Sequence, residues 1–82
     1  MSAPTGQVLI VEDEVPIRRF VGDALRREGC IVSETGTAPQ GLDLVALGGI
    51  DLVVLDLGLP GMSGLQFIEA LRHWSQVPVL IL

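Results

Sequence analysis

The chain contains no lysine. Its basic side chains are five arginines and a single histidine, set against ten Asp and Glu, for a net charge of −5. Binding a phosphate backbone needs clustered Lys and Arg, so the charge balance argues against a nucleic-acid surface within this segment. There is one cysteine, Cys30, which excludes an internal disulfide framework and points to a reducing compartment. The opening residues Met1-Ser2-Ala3-Pro4-Thr5-Gly6 lack the basic start and apolar stretch of a signal peptide. No apolar run approaches the ~20 residues that span a bilayer. A cytoplasmic protein without a membrane partner is expected. Charge is also sparse: 18% of residues are charged and 49% hydrophobic, a balance that argues against disorder outside the termini. At 82 residues the chain is long enough for one small domain.

What is present is a pair of buried-strand patterns, each ending in acid. Leu52-Val53-Val54-Leu55 runs into Asp56, and Val8-Leu9-Ile10-Val11 runs into Glu12-Asp13-Glu14. Continuous apolar runs of this length read as parallel strands covered on both faces. Open α/β sheets place ligands at the C-terminal ends of such strands. Carboxylates gathered at one sheet edge repel each other and call for a cation. The pattern therefore predicts a Mg²⁺ site containing a reactive aspartate, Asp56.

The rest of the chain alternates strand and helix. Residues 1–6 read as a flexible lead-in and residues 7–82 as the folded unit. A first strand covers Gln7 to Glu12. Pro16 suits the first turn of a helix, where its missing N–H is harmless. Ile17, Phe20, Val21, Ala24 and Leu25 form its apolar stripe, while Arg18, Arg19, Arg26 and Arg27 fall off the stripe and are expected to face water. Gly29 ends this helix. A strand over Cys30 to Glu34 precedes a helix capped by Thr37, with Ala38, Gly41, Leu42, Val45 and Ala46 as its stripe. Gly48-Gly49 closes it. A strand over Ile50 to Asp56, a helix starting near Ser63 with Gly64, Phe67, Ile68 and Leu71 inward, and a strand over Val77 to Leu82 complete the order βαβαβαβ. That order predicts a parallel sheet with right-handed crossovers and helices on both faces.

These residues resemble the receiver domain of bacterial two-component response regulators. The resemblance is carried by Val8 to Glu14, by Asp56-Leu57-Gly58-Leu59-Pro60-Gly61-Met62-Ser63-Gly64 after the third strand, and by Val77 to Leu82. Within that family the chain is similar to winged-helix transcriptional regulators, on Ile17-Arg18-Arg19-Phe20 and on the run from Leu71 to Val79. The resemblance implies a flavodoxin-like (CheY-like) doubly wound fold. It implies that Asp56 takes a phosphoryl group from the phosphohistidine of a sensor histidine kinase. It further implies Mg²⁺ held by Asp13, Asp56 and the backbone carbonyl of Gly58, with Glu12 acting directly or through water. DNA would be reached only through a separate output domain.

A full receiver has a fifth strand and two further helices, with a Ser or Thr after the fourth strand and a lysine after the fifth. Those parts are not within these residues, which are therefore expected to be a truncated receiver that holds phosphate weakly, depends more on metal, and cannot switch normally. The last strand would then have an open edge, and open edges recruit partners. Homo-oligomerisation through that strand is expected.

Plainer roles compete at several positions. Asp56 could be a solvated strand-end residue, Asp13 a helix cap, Glu12 an exposed carboxylate, and Glu14 simply favourable charge at a helix N-terminus. Pro60 and Gly61 read as loop-positioning residues. Cys30 reads as a small buried hydrophobe, His73 as a cation suited to a helix C-terminus, and Trp74 as packing. The arginines of the first helix read as a solvated face, although in receivers that helix often meets the kinase. Three other functions compete. An aspartate-nucleophile phosphohydrolase would carry a second acid two residues after the nucleophile, where this chain has Gly58. A fragment that no longer takes phosphate would act only as an interaction module. A dinucleotide binder fails for want of a Gly-x-Gly-x-x-Gly after the first strand. A signalling module rather than an enzyme is the expectation.

Overall fold

The computed structural model describes residues 6–82. The elements run β1 (Gln7–Val11), α1 (Val15–Arg27), β2 (Ile31–Thr35), α2 (Ala38–Ala46), β3 (Leu52–Leu55), α3 (Gly64–Arg72) and β4 (Val79–Ile81). The strands form one parallel sheet in the order β2-β1-β3-β4. This is the doubly wound α/β arrangement that the alternating pattern predicts. The expected lead-in lies outside the described residues apart from Gly6.

Alternation along β1 divides the molecule. Val8 and Ile10 point to one face with Val54, where Val21 and Leu25 of α1 pack on them. Leu9 and Val11 point to the other, joining Val53, Leu55, Ala38, Val45, Phe67 and Leu71 in the larger core under α2 and α3. β1 is flanked on both sides, which is why its run reads as continuously apolar.

The helices start where their caps dictate. Thr37 caps α2 by accepting from the Gln40 amide. Ser63 and Gln66 make a reciprocal capping box at α3: the Gln66 amide donates to Ser63 Oγ at 3.2 Å and the Ser63 amide to Gln66 Oε1 at 2.9 Å. Gly29, with φ of +92°, ends α1.

Several expectations are corrected. β3 is shorter than Ile50 to Asp56. Asp51 uses its carboxylate to accept the Gln7 amide at 2.8 Å ahead of the ladder, and Asp56 lies past its end. On α1, Ile17 and Phe20 are exposed and only the Val21 and Leu25 side of the stripe packs. Ala46 is exposed, and Leu44 packs on the core instead. Cys30 is half-buried, and Trp74 is exposed rather than packed. Arg18 does not face water: it is half-buried and ion-paired to Glu34.

Candidate metal and phosphoacceptor site

Register builds the site. Val11 is level with Leu55 across the β1–β3 ladder, so Glu12 and Asp56 leave the sheet side by side. The Asp56 amide donates to the Val11 carbonyl at 3.1 Å and extends the pairing by one bond. On the other side the Glu12 amide donates to the Thr35 carbonyl at 3.0 Å. The backbone at both carboxylates is therefore fixed by the sheet. Asp13 follows on the turn into α1.

Glu12, Asp13 and Asp56 each bring a carboxylate oxygen into one group, all within 4.8 Å of one another. Glu12 is buried, Asp56 half-buried and Asp13 exposed. Glu12 is thus not the surface carboxylate its alternative reading required. Its Oε2 accepts the Glu14 amide at 3.0 Å. Its pKa is raised, first because burial strips water from the charged form. The Glu14 amide opposes that rise, and the neighbouring charges of Asp56 and Asp13 add to it. Asp13 does not cap α1: Glu14 holds the N-cap position, and no side-chain capping bond is made there.

Asp56 Oδ1 accepts the Gly58 amide at 2.9 Å, an arrangement that folds the loop back on the carboxylate. Gly58 itself lies in the exposed turn after Asp56. Gly61 has φ of +73°, the left-handed conformation that lets the loop reverse towards α3. Pro60 beside it is exposed, while Leu59 is buried in the core and anchors the loop. The donor set is all oxygen and carries three carboxylates, which suits a hard divalent cation such as Mg²⁺ and not a soft metal.

Two further residues shape this end of the sheet. A Cβ at Gly64 would stand 2.5 Å from Leu57 Cα and 2.8 Å from the Asp56 carbonyl oxygen, so α3 begins against the loop only because this position has no side chain. Arg18 Nη1 donates to the Glu12 carbonyl at 2.7 Å. The closing glycine of the loop motif is a sequence signal for the first. Nothing in local spacing signals the second.

Comparison with known proteins identifies the family of this fold. The family model described as response regulator receiver domain matches residues 8–82. The KDP operon transcriptional regulatory protein KdpE of Escherichia coli (strain K12) is 52% identical over 75 residues, covering 92% of this chain and 33% of that protein. The two-component response regulator PhoP of Pseudomonas aeruginosa is 42% identical over 77 residues, covering 93% of this chain and 34% of that protein. Among solved structures, the chemotaxis response regulator CheY4 of Vibrio cholerae superposes with a TM-score of 0.88 at 26% identity, covering 98% of this chain and 68% of that one. The MaeR response regulator, solved bound to beryllium trifluoride, gives a TM-score of 0.85 at 28% identity, covering 95% and 66%. The chain belongs to the response regulator receiver family, and it spans about a third of the length of the curated relatives it matches.

Proposed function

From that membership we propose that Asp56 is the phosphoacceptor of a two-component signalling receiver, with Mg²⁺ as its cofactor. The observation that carries the reading is the meeting of Glu12, Asp13 and Asp56 at the carboxyl ends of adjacent strands. Receiver domains interact with sensor histidine kinases, and the donor is a kinase phosphohistidine. One Asp56 carboxylate oxygen attacks the phosphorus, forming an O–P bond as the P–N bond breaks and its electron pair returns to the imidazole. The amide of Gly58 holds Oδ1 and so orients the carboxylate for that attack. Glu12, Asp13, Asp56 and the Gly58 carbonyl are assigned to the cation. Bound there, it supplies the charge neutralisation on which phosphoryl transfer largely depends.

Residues 7–82 act as the receiver unit, in a cytoplasmic setting shared with the kinase. No helix among the described residues is long and apolar enough to cross a membrane. Control of transcription through a DNA-binding output domain is the role that the similarity to KdpE and PhoP favours. The test is binding of beryllofluoride, a phosphoryl mimic, followed by fluorine NMR with Mg²⁺ present. The chain is expected to give one bound signal that Asp56→Asn abolishes. A signal unchanged by Asp56→Asn contradicts the assignment.

A further inference from the structure

Arg18 bonds the backbone beside the acidic group but is not one of its three carboxylates. It lies in the first turn of α1, with its own amide bonded to the Glu14 carbonyl at 3.0 Å. Its side chain is folded back towards the sheet. Nη1 donates to the Glu12 carbonyl at 2.7 Å, and Nε stands 3.5 Å from Glu34 Oε1. Both side chains of this pair are only 20% exposed. Glu34, on β2, is held in turn from its other oxygen by Arg26 Nη2 at 2.9 Å. A guanidinium is a planar fork that can satisfy a carbonyl and a carboxylate at once; an ammonium is a point charge that cannot match both directions.

The bonded carbonyl joins the two carboxylate residues contributed by the β1–α1 turn. The peptide plane between Glu12 and Asp13 sets the direction in which Asp13 leaves the backbone. The Glu12 amide is already fixed to Thr35, so the Arg18 bond fixes the other end of that residue. Asp13 is exposed and makes no helix cap, so apart from its side-chain contact with Glu12 its orientation is set by the backbone.

We propose that Arg18, oriented by Glu34, is a positioning residue that holds the Glu12–Asp13 peptide and thereby aims the Asp13 carboxylate at Asp56. The proposal rests on the reading of the acidic group as a divalent-cation site. Arg18 touches neither cation nor phosphoryl group and acts through the backbone.

The sign of the effect separates positioning from simple charge. Removing a positive charge near a cation site tightens cation binding if only Coulomb forces act. Loss of a residue that orients a ligand weakens it, and such outer partners typically carry about 10- to 100-fold in metal affinity. The experiment is calorimetric titration of the purified chain with Mg²⁺, together with amide hydrogen exchange measured without metal. Arg18→Gln is expected to weaken Mg²⁺ binding roughly tenfold. Arg18→Lys is expected to rescue only part of that loss. Glu34→Gln, which leaves Arg18 in place, is expected to shift affinity the same way by a smaller factor. Arg27→Gln, at the far end of α1, is expected to change nothing. In the metal-free chain, Arg18→Gln is expected to speed exchange at the Asp13 and Glu14 amides while the β1 amides stay protected.

Unchanged or tighter Mg²⁺ binding in Arg18→Gln overturns the proposal. Should that variant fail to fold, unchanged affinity in Glu34→Gln overturns it. If the parent chain and Asp13→Asn bind Mg²⁺ equally, the cation-site reading has failed. The exchange readout then decides separately whether Arg18 orders the turn, and unchanged exchange there overturns that claim as well.

Discussion

Phe67 and Phe20 are the same side chain on opposite sides of one sheet, and their surroundings could hardly differ more. Phe67 on α3 is 0% exposed among Leu9, Val11, Leu55 and Leu71, whereas Phe20 on α1 is 73% exposed. The α2–α3 side is a closed core. Among the described residues, the α1 side is covered over β2 and β1, and Leu80 of β4, in register with Val54, is exposed. Helical spacing identifies which residues share a stripe; only the tertiary arrangement decides how much of the stripe is covered.

The largest effect should come from breaking the closed side. Phe67→Ala leaves a cavity in the centre of the larger core and is expected to cost about 3–5 kcal/mol, enough to remove most of the stability of a small domain. Urea denaturation measures it. Gly64→Ala comes next: the new methyl meets backbone of Leu57 and Asp56, which cannot yield as a flexible side chain would. A loss of about 2 kcal/mol is expected by analogy with overpacked cores, together with reduced phosphorylation of Asp56 in the fraction that stays folded.

Glu12 reverses the sign. Its raised pKa means that the metal-free folded chain keeps a proton where the unfolded chain has released it. Stability of the metal-free chain therefore falls as pH rises from the ordinary glutamate range through the raised value, opposite to the usual behaviour of a salt-bridged acid. Glu12→Gln is expected to flatten that slope and raise metal-free stability at neutral pH, while weakening Mg²⁺ binding. Thermal denaturation between pH 4 and 8, with and without Mg²⁺, reads both. The smallest effect belongs to the open side: Phe20→Ala is expected to change stability by less than about 0.5 kcal/mol. A loss near that of Phe67→Ala would show that Phe20 is covered in solution, and would end the contrast between the two faces.

Element order and the acidic group were legible in the sequence for the same reason: both are written locally. Strand runs, Thr37 as a cap, a helix start near Ser63, Gly29 as a stop and carboxylates one residue past two strands need no tertiary knowledge. Strand ends were less legible. Asp51 donates its amide to the Gln7 carbonyl, and it is the Asp51 carboxylate that accepts the Gln7 amide, a contact between residues distant in the chain. Arg18 is illegible in the sequence for a related reason. Its spacing on α1 places it off the apolar stripe, but its partners are the Glu12 carbonyl and Glu34 of β2, which only the folded sheet brings within reach. Trp74 shows the converse: a large aromatic suggests packing, yet it lies just past the end of α3 with 51% of its surface exposed.

The central claim is that the carboxylates of the β1 and β3 ends share one cation and that Asp56 among them takes the phosphoryl group. Intact-mass analysis after incubation with acetyl phosphate tests it most directly. The account predicts a single added phosphoryl group, dependent on Mg²⁺, lost on chelation and absent from Asp56→Asn. Labelling that persists in Asp56→Asn, or that is indifferent to removal of the metal, would contradict it.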